Sequence, residues 1–309
     1  MICGVDISRD WLEAELRSKQ AHGCFANDAP GIALLAEFCR QHQVQLVAME
    51  ATGGYERQAF ALLSAEAIAV AIVNPRQVRA FARAMGYLEK TDRIDPGVIA
   101  HYAEVKQCVA LKPASLEQQR LRALVTRLRQ LTELRASQRN QRLLVEDSWT
   151  QNNIAELLKF LNQQIRQLEV AIVELIAADP LWRQLDQSFR TIKGVADRTV
   201  ARLMAEMPEM GLLSNKKIGK LAGLAPLAAD SGQTRGKRTI QGGRRCVREI
   251  LYVVASVVAR YEPDFVAFRQ RLLAKGKAKK VVRIALAHKL LTRLNAKARL
   301  VRQQFPVPA

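Results

Sequence analysis

From Leu121 to Leu131 and again from Ile154 to Leu175, apolar residues recur every three or four positions, and that spacing commits the middle of the chain to helix. Leu121, Leu124, Leu128 and Leu131 begin the pattern. Ile154, Leu158, Leu161, Ile165, Leu168, Ile172 and Leu175 then hold a 4-3 alternation until Asp179-Pro180 stops it. Such a stripe is either a coiled-coil seam between chains or the inner face of an antiparallel helical hairpin within one chain. Spacing alone leaves both open.

The stripe also divides the chain. At 309 residues, 49% of them hydrophobic, there is material for two or three cores. We expect an α/β domain over residues 1–107, a helical coiled-coil segment over 114–180 and a mostly α-helical domain over 185–309 that ends in a basic, nucleic-acid-binding tail, "LLAKGKAKKVVRIALAHKLLTRL". In the first, "MICGVDIS" reads as a strand ending near Asp6, with "DWLEAELR" and "HGCFAND" continuing antiparallel. Helix "PGIALLAEFCRQH", strand "VQLVAME", helix "YERQAFALLSAE", strand "AIAVAIVN" and helices "PRQVRAFARAMG" and "DPGVIAHYAEVK" follow. Three leading strands followed by alternating helices and strands is the order of an RNase H-like sheet.

Charge is concentrated at the other end. From Ser231 to Ala309 there are 19 Lys and Arg against 3 Asp and Glu, a net +16 of the chain's +19. That density implies a polyanion held through phosphates, DNA or RNA, over a merely solubilising surface. An anionic membrane fits less well, because no interfacial helix with an aromatic–basic face is present. The longest apolar runs, "AIAVAIV" and "YVVASVVA", are far short of a membrane span, and "MICGVDISRD" lacks the order of a signal peptide. Five cysteines without a CxxC pair and only four histidines argue against disulfide or zinc scaffolding and for a reduced cytoplasm. "IKGVADRTVARLMAEM" has the look of a helix-hairpin-helix unit whose turn amides could meet a phosphate. No GxxxxGK[ST] loop occurs, so nothing points to ATP hydrolysis.

Carboxylates mark the chemistry. Asp6 and Glu50 end candidate neighbouring strands, and Asp92 and Asp95 stand three apart where a loop enters a helix. Singly, each has a plain reading: Asp6 ends a strand, Glu50 caps the helix after Gly53-Gly54, and Asp95 caps the helix at Pro96. Brought together, the four would repel unless a divalent cation sat among them. An all-oxygen donor set favours Mg²⁺ or Mn²⁺. Two such ions suit phosphodiester chemistry.

The blocks "GVDIS", "MEATGGYE", "VNPRQVRAFARAMG…KTDRID" and "LAGLAPLAADSGQTRGKRTIQGGRRCVREILY" resemble the insertion-sequence transposases of the IS110 group. These have an N-terminal DEDD domain similar to the RuvC resolvase and are relatives of the Piv-type DNA invertases and bridge-RNA-guided recombinases. The resemblance covers almost the whole chain in order. It implies that Asp6, Glu50, Asp92 and Asp95 are catalytic metal ligands and that Ser231 is a nucleophile forming a phosphoserine–DNA intermediate. It further implies donor and target DNA as substrates, a noncoding guide RNA, a homo-oligomer (dimer or tetramer) with catalytic parts contributed across protomers, and a bacterial or archaeal cytoplasm at the nucleoid. Arg235, Lys237, Arg238, Arg244, Arg245, Lys277, Lys279 and Lys280 are the nucleic-acid-binding candidates. Two positions depart from the family's pattern: Pro96 directly after the last acid, which disfavours helical geometry at Asp95, and the glycine pair in "IQGGRR". Two rivals stand beside this reading: a Holliday-junction resolvase using only the acidic site, and a nucleic-acid-binding protein without catalysis.

Overall fold

Alternation along the first strands decides what the sheet buries. In the computed structural model, which describes residues 1–17, 21–87, 95–228, 236 and 238–305, β1 (Ile2–Ile7) places Cys3, Val5 and Ile7 on one buried face. β2 (Trp11–Leu16) adds Leu12, Ala14 and Leu16 to the same face. With β3 (Ala21–Ala26), β4 (Leu46–Glu50) and β5 (Val70–Val73) they form a sheet of order β3-β2-β1-β4-β5. β1, β2 and β3 pair antiparallel, whereas β4 and β5 run parallel to β1. That is the expected order, consistent with an RNase H-like sheet. β4 is buried at every residue, as a central parallel strand covered on both faces must be.

Helices α1 (Ala29–Gln41) and α2 (Glu56–Ala65) cover the Val5 face. α3 (Pro75–Ala84) and α4 (Pro96–Lys106) cover the other, on Ala48, Val73 and Ile2. Each of α1, α3 and α4 begins with a proline in its first turn behind an Asp or Asn cap. The start of α4 lies directly on β1: a Cβ on Gly4 would collide with the Pro96 carbonyl oxygen. Gly4 therefore sets how closely Asp95 approaches the sheet.

The chain forms two compact units, Met1–Ala114 and Ser115–Ala309. In the second, α5 (Leu116–Arg142) and α6 (Ser148–Ala178) turn back on each other through five residues. The apolar repeat is thus met by an intramolecular hairpin. Leu121, Val125, Leu128 and Leu131 lie in one core with Leu161, Ile165, Ile172 and Ile176. α7 (Pro180–Arg190) restarts the chain at Pro180, capped by Asp179. α8 (Asp197–Glu206), α9 (Asn215–Leu221), α10 (Arg245–Tyr261), α11 (Pro263–Ala274) and α12 (Lys279–Gln303) complete the unit.

Two expectations change here. The basic C-terminal stretch is no appended tail: α12 is a core helix, burying Val282, Leu286, Leu290, Leu291 and Leu294 at helical spacing. Several of its cations serve the fold, with Lys289 over the Phe265 and Phe268 rings and Arg302 donating to the carbonyls of Pro208 and Met210. The "IKGV" turn is likewise occupied from within, since the Lys193 amide donates to Glu262 Oε1 (2.8 Å) and Gly194 packs on Val257 and Val258. Among the described residues, no helix is long and apolar enough to cross a membrane.

Candidate functional site

β1 and β4 are parallel neighbours in register, Val5 opposite Met49, so Asp6 and Glu50 emerge side by side on the face that α4 covers. Glu50 is only 7% exposed, and its Oε2 is buried with no hydrogen-bond partner. Burial first, and then the negative charge of Asp6, push its carboxyl above the usual range, while Arg79 on α3 pulls the other way. Asp6 is half-buried, and its Oδ1 accepts from the Ile7 amide at 2.9 Å.

The plain reading of Glu50 as a turn cap belongs instead to Glu56. Glu56 Oε2 accepts from the amides of Gly54 (2.8 Å) and Thr52 (3.2 Å) and from the Thr52 hydroxyl (3.1 Å). The Thr-Gly-Gly turn is thereby secured without Glu50, whose burial serves no local hydrogen bond. A buried carboxylate with an orphan oxygen beside a second carboxylate is the donor set of a hard cation, and Asp6 and Glu50 fit one.

Asp95 is the N-cap of α4, its Oδ1 accepting from the Gly97 amide at 2.8 Å. Its neighbour is Glu15 on β2, which sequence reasoning passed over. Burial, the hydrogen bond with Asp95 and that residue's charge raise the Glu15 carboxyl, and His22 at 3.6 Å opposes them. Glu13 also faces this way, directly across the β1–β2 ladder from Asp6. The signal for both was present in "WLEAEL", where Leu12, Ala14 and Leu16 point one way and the two glutamates the other. Like charges directly opposite in a ladder repel, so Asp6 and Glu13 disfavour each other across it. Asp92 lies outside the described residues. Among those described, no three acid, histidine or cysteine side chains converge closely enough to hold an ion. The structure therefore brings Asp6 to Glu50, and Asp95 to Glu15.

Ser231, Arg235 and Lys237 also lie outside the described residues, but the frame around them is defined. Leu227 and Thr239 form an antiparallel bridge, closing the base of the segment between them. Below it, Gly223 and Gly243 (φ 68° and 69°) pack backbone to backbone, where any Cβ would collide. Of the glycine pair of "IQGGRR", Gly243 is needed for that close approach, whereas Gly242 has open space around it and is favoured by its positive φ of 67°.

The cations divide. Arg244 is held by Glu209 through two bonds of 2.6 and 2.5 Å and donates to the Glu206 carbonyl at 2.7 Å, so it clamps the start of α10. Arg245 pairs with Glu249 one turn along the same helix. Arg238 is exposed beside the Leu227–Thr239 bridge, and Lys277, Lys279 and Lys280 are exposed where α11 gives way to α12.

A DEDD family model described as "Transposase" matches residues 3–145, and a second, "Transposase IS116/IS110/IS902 family", matches residues 186–270. Two curated relatives, the pilin gene-inverting proteins of Moraxella lacunata and Moraxella bovis, are each 29% identical over 304 residues. The alignment covers 94% of this chain and 92% of either relative.

Proposed function

The chain belongs to the IS116/IS110/IS902 family of transposases, and from that premise we propose that it is a metal-assisted DNA recombinase working through a phosphoserine intermediate. The observation that carries the reading is Glu50, a buried carboxylate without a partner for Oε2 beside Asp6, on a sheet of RNase H-like order.

In this reading Asp6, Glu50, Asp92 and Asp95 hold Mg²⁺ or Mn²⁺. Such an ion, when bound, polarises the scissile phosphate and offsets charge on the attacking and leaving oxygens. Ser231 attacks phosphorus: an Oγ–P bond forms, the P–O bond to one strand breaks, and that strand leaves as a free hydroxyl. With no histidine in "ADSGQTRGKR", the serine's proton passes to a carboxylate, which hands it on to the leaving oxygen. Attack by the hydroxyl of a second strand then restores a phosphodiester and frees Ser231. The ester conserves the bond energy, which agrees with a chain lacking an ATP-binding loop. Arg235, Lys237 and Arg238 hold the flanking phosphates. Site choice falls to a noncoding RNA paired with donor and target DNA, which suits a protein whose cations meet phosphates more than base edges. The acidic and serine parts of each site come from different protomers of an oligomer in a bacterial or archaeal cytoplasm. Inversion of a DNA segment, as named for the Moraxella relatives, is within the same chemistry.

The test incubates full-length protein with Mg²⁺, DNA of the element's ends and the adjoining noncoding transcript. The expected product is a protein–DNA adduct, sensitive to protease and absent in Ser231→Ala. Cleavage that survives Ser231→Ala identifies a water-using resolvase instead. DNA-dependent activities unchanged by Asp6→Ala and Glu50→Ala identify a binding protein.

A further inference from the structure

The inward face of α5 changes chemistry partway along. Leu121, Val125, Leu128 and Leu131 fill the hairpin core, and the same spacing of three and four continues to Arg135, Arg139 and Arg142. Beyond Leu131, the positions that should carry leucine carry arginine. Against them α6 presents Lys159, Arg166 and Asn162, and the helices part to leave a groove of about 840 Å³.

No carboxylate lines this groove. Arg135 donates to Asn162 Oδ1 at 3.0 Å, and none of the five cations makes an ion pair among the described residues. Elsewhere the unit neutralises its arginines readily: Arg190 with Asp186, Arg198 with Glu169, Arg244 with Glu209. Guanidinium groups gathered on a helix seam without counter-charge repel one another, and the bond of Arg135 to the neutral Asn162 amide does not offset that. Such an arrangement is made for an anion supplied from outside. Bulk charge conceals it, because residues 1–230 are nearly balanced, yet α5 alone holds seven arginines against two glutamates.

We propose that the outer half of the α5–α6 hairpin is a second nucleic-acid surface, gripping the sugar–phosphate backbone of DNA away from the exchange point. An anion with several charges in a row matches three arginines spaced along one helix face. A second copy of the chain is a poor occupant, since it brings the same net charge of +19. The choice of DNA over RNA rests on the recombinase reading above; the groove's demand for phosphates does not.

The experiment measures binding of full-length protein to a linear DNA duplex, and separately to an RNA duplex of equal length, across a salt series without divalent metal. Arg135→Gln/Arg139→Gln/Arg142→Gln is expected to lower the slope of log K against log salt on DNA by about 2–3, with the melting temperature unchanged or raised. Arg135→Lys/Arg139→Lys/Arg142→Lys, which retains the charges, keeps the slope. Lys159→Gln/Arg166→Gln, on the other wall, lowers it by about 1–2 and serves if the triple variant folds poorly. An unchanged DNA slope in both sets overturns the proposal, as does a loss confined to RNA or to self-association. Adduct formation by Ser231 is not involved, so failure of the catalytic reading and failure of this one show up in different assays.

Discussion

Glu50 has lost its water and gained no donor in exchange. Nothing in the described residues binds Oε2, and Asp6 adds repulsion. The Met1–Ala114 unit therefore carries a local cost that a cation would remove. Glu50→Gln keeps the shape and discards the charge. We expect the variant to melt at or above the wild-type temperature in chelator, and to lose all strand exchange. Saturating Mg²⁺ should stabilise the wild type by about 2–3 kcal/mol and the variant by less than about 0.5 kcal/mol. Thermal unfolding with and without Mg²⁺ checks this. An equal Mg²⁺ shift in both proteins would remove Glu50 from the metal site.

Among the elements, the clamp of Arg244 on Glu209 ties the segment after α8 to the start of α10. Burial pushes the Glu209 carboxyl up, but the bonds and charge of Arg244 outweigh it and hold the group below its ordinary value. A depressed folded value contributes stability above the unfolded value, ~4.3, and that contribution is lost as pH falls through the folded value. Glu209→Gln should cost about 1–2 kcal/mol at pH 7, and the gap to wild type should shrink as pH drops below ~4.3. Denaturant midpoints between pH 7 and 3 read this out; a gap constant with pH would mean that the charge of Glu209 contributes nothing.

Elements of this kind also show what a sequence exposes. The β1–β2–β3 ladder and the Asp-Pro and Asn-Pro helix starts were readable, because alternation and capping are local rules. The 4-3 stripe disclosed helix but not its partner, since an apolar face looks alike whether its mate lies in the same chain or another. α12 passed for a basic tail because its cations outnumber its acids, while the Val282–Leu294 stripe that buries it was diluted among them. The pairing of Asp6 with Glu50 was legible from strand ends, and the two do lie side by side. The approach of Glu15 to Asp95 was not, because it depends on how α4 sits on the sheet, which only Gly4 hints at. Ser231 sits in a stretch with no periodicity, so only resemblance could single it out.

At the scale of the whole molecule, acids and serine belong to different compact units, Met1–Ala114 and Ser115–Ala309. A chain so divided can complete its site in cis or lend each half to a partner, and the proposed mechanism takes the second course. Two inactive variants then become informative together. Asp6→Asn lacks the acidic half and Ser231→Ala the nucleophile, and neither alone should form an adduct. In a heterodimer built by exchange, one composite site carries both defects and the other carries neither. Random mixing makes about half the dimers mixed, so about a quarter of the wild-type number of sites should be restored. The measurement is adduct yield from the pre-equilibrated mixture against each variant alone. Restored adduct must sit on the Asp6→Asn chain, which a size tag on that variant identifies. A mixture as inactive as its parts would place both halves of the site in one chain, because no exchange of partners could then reunite an intact acid cluster with an intact serine.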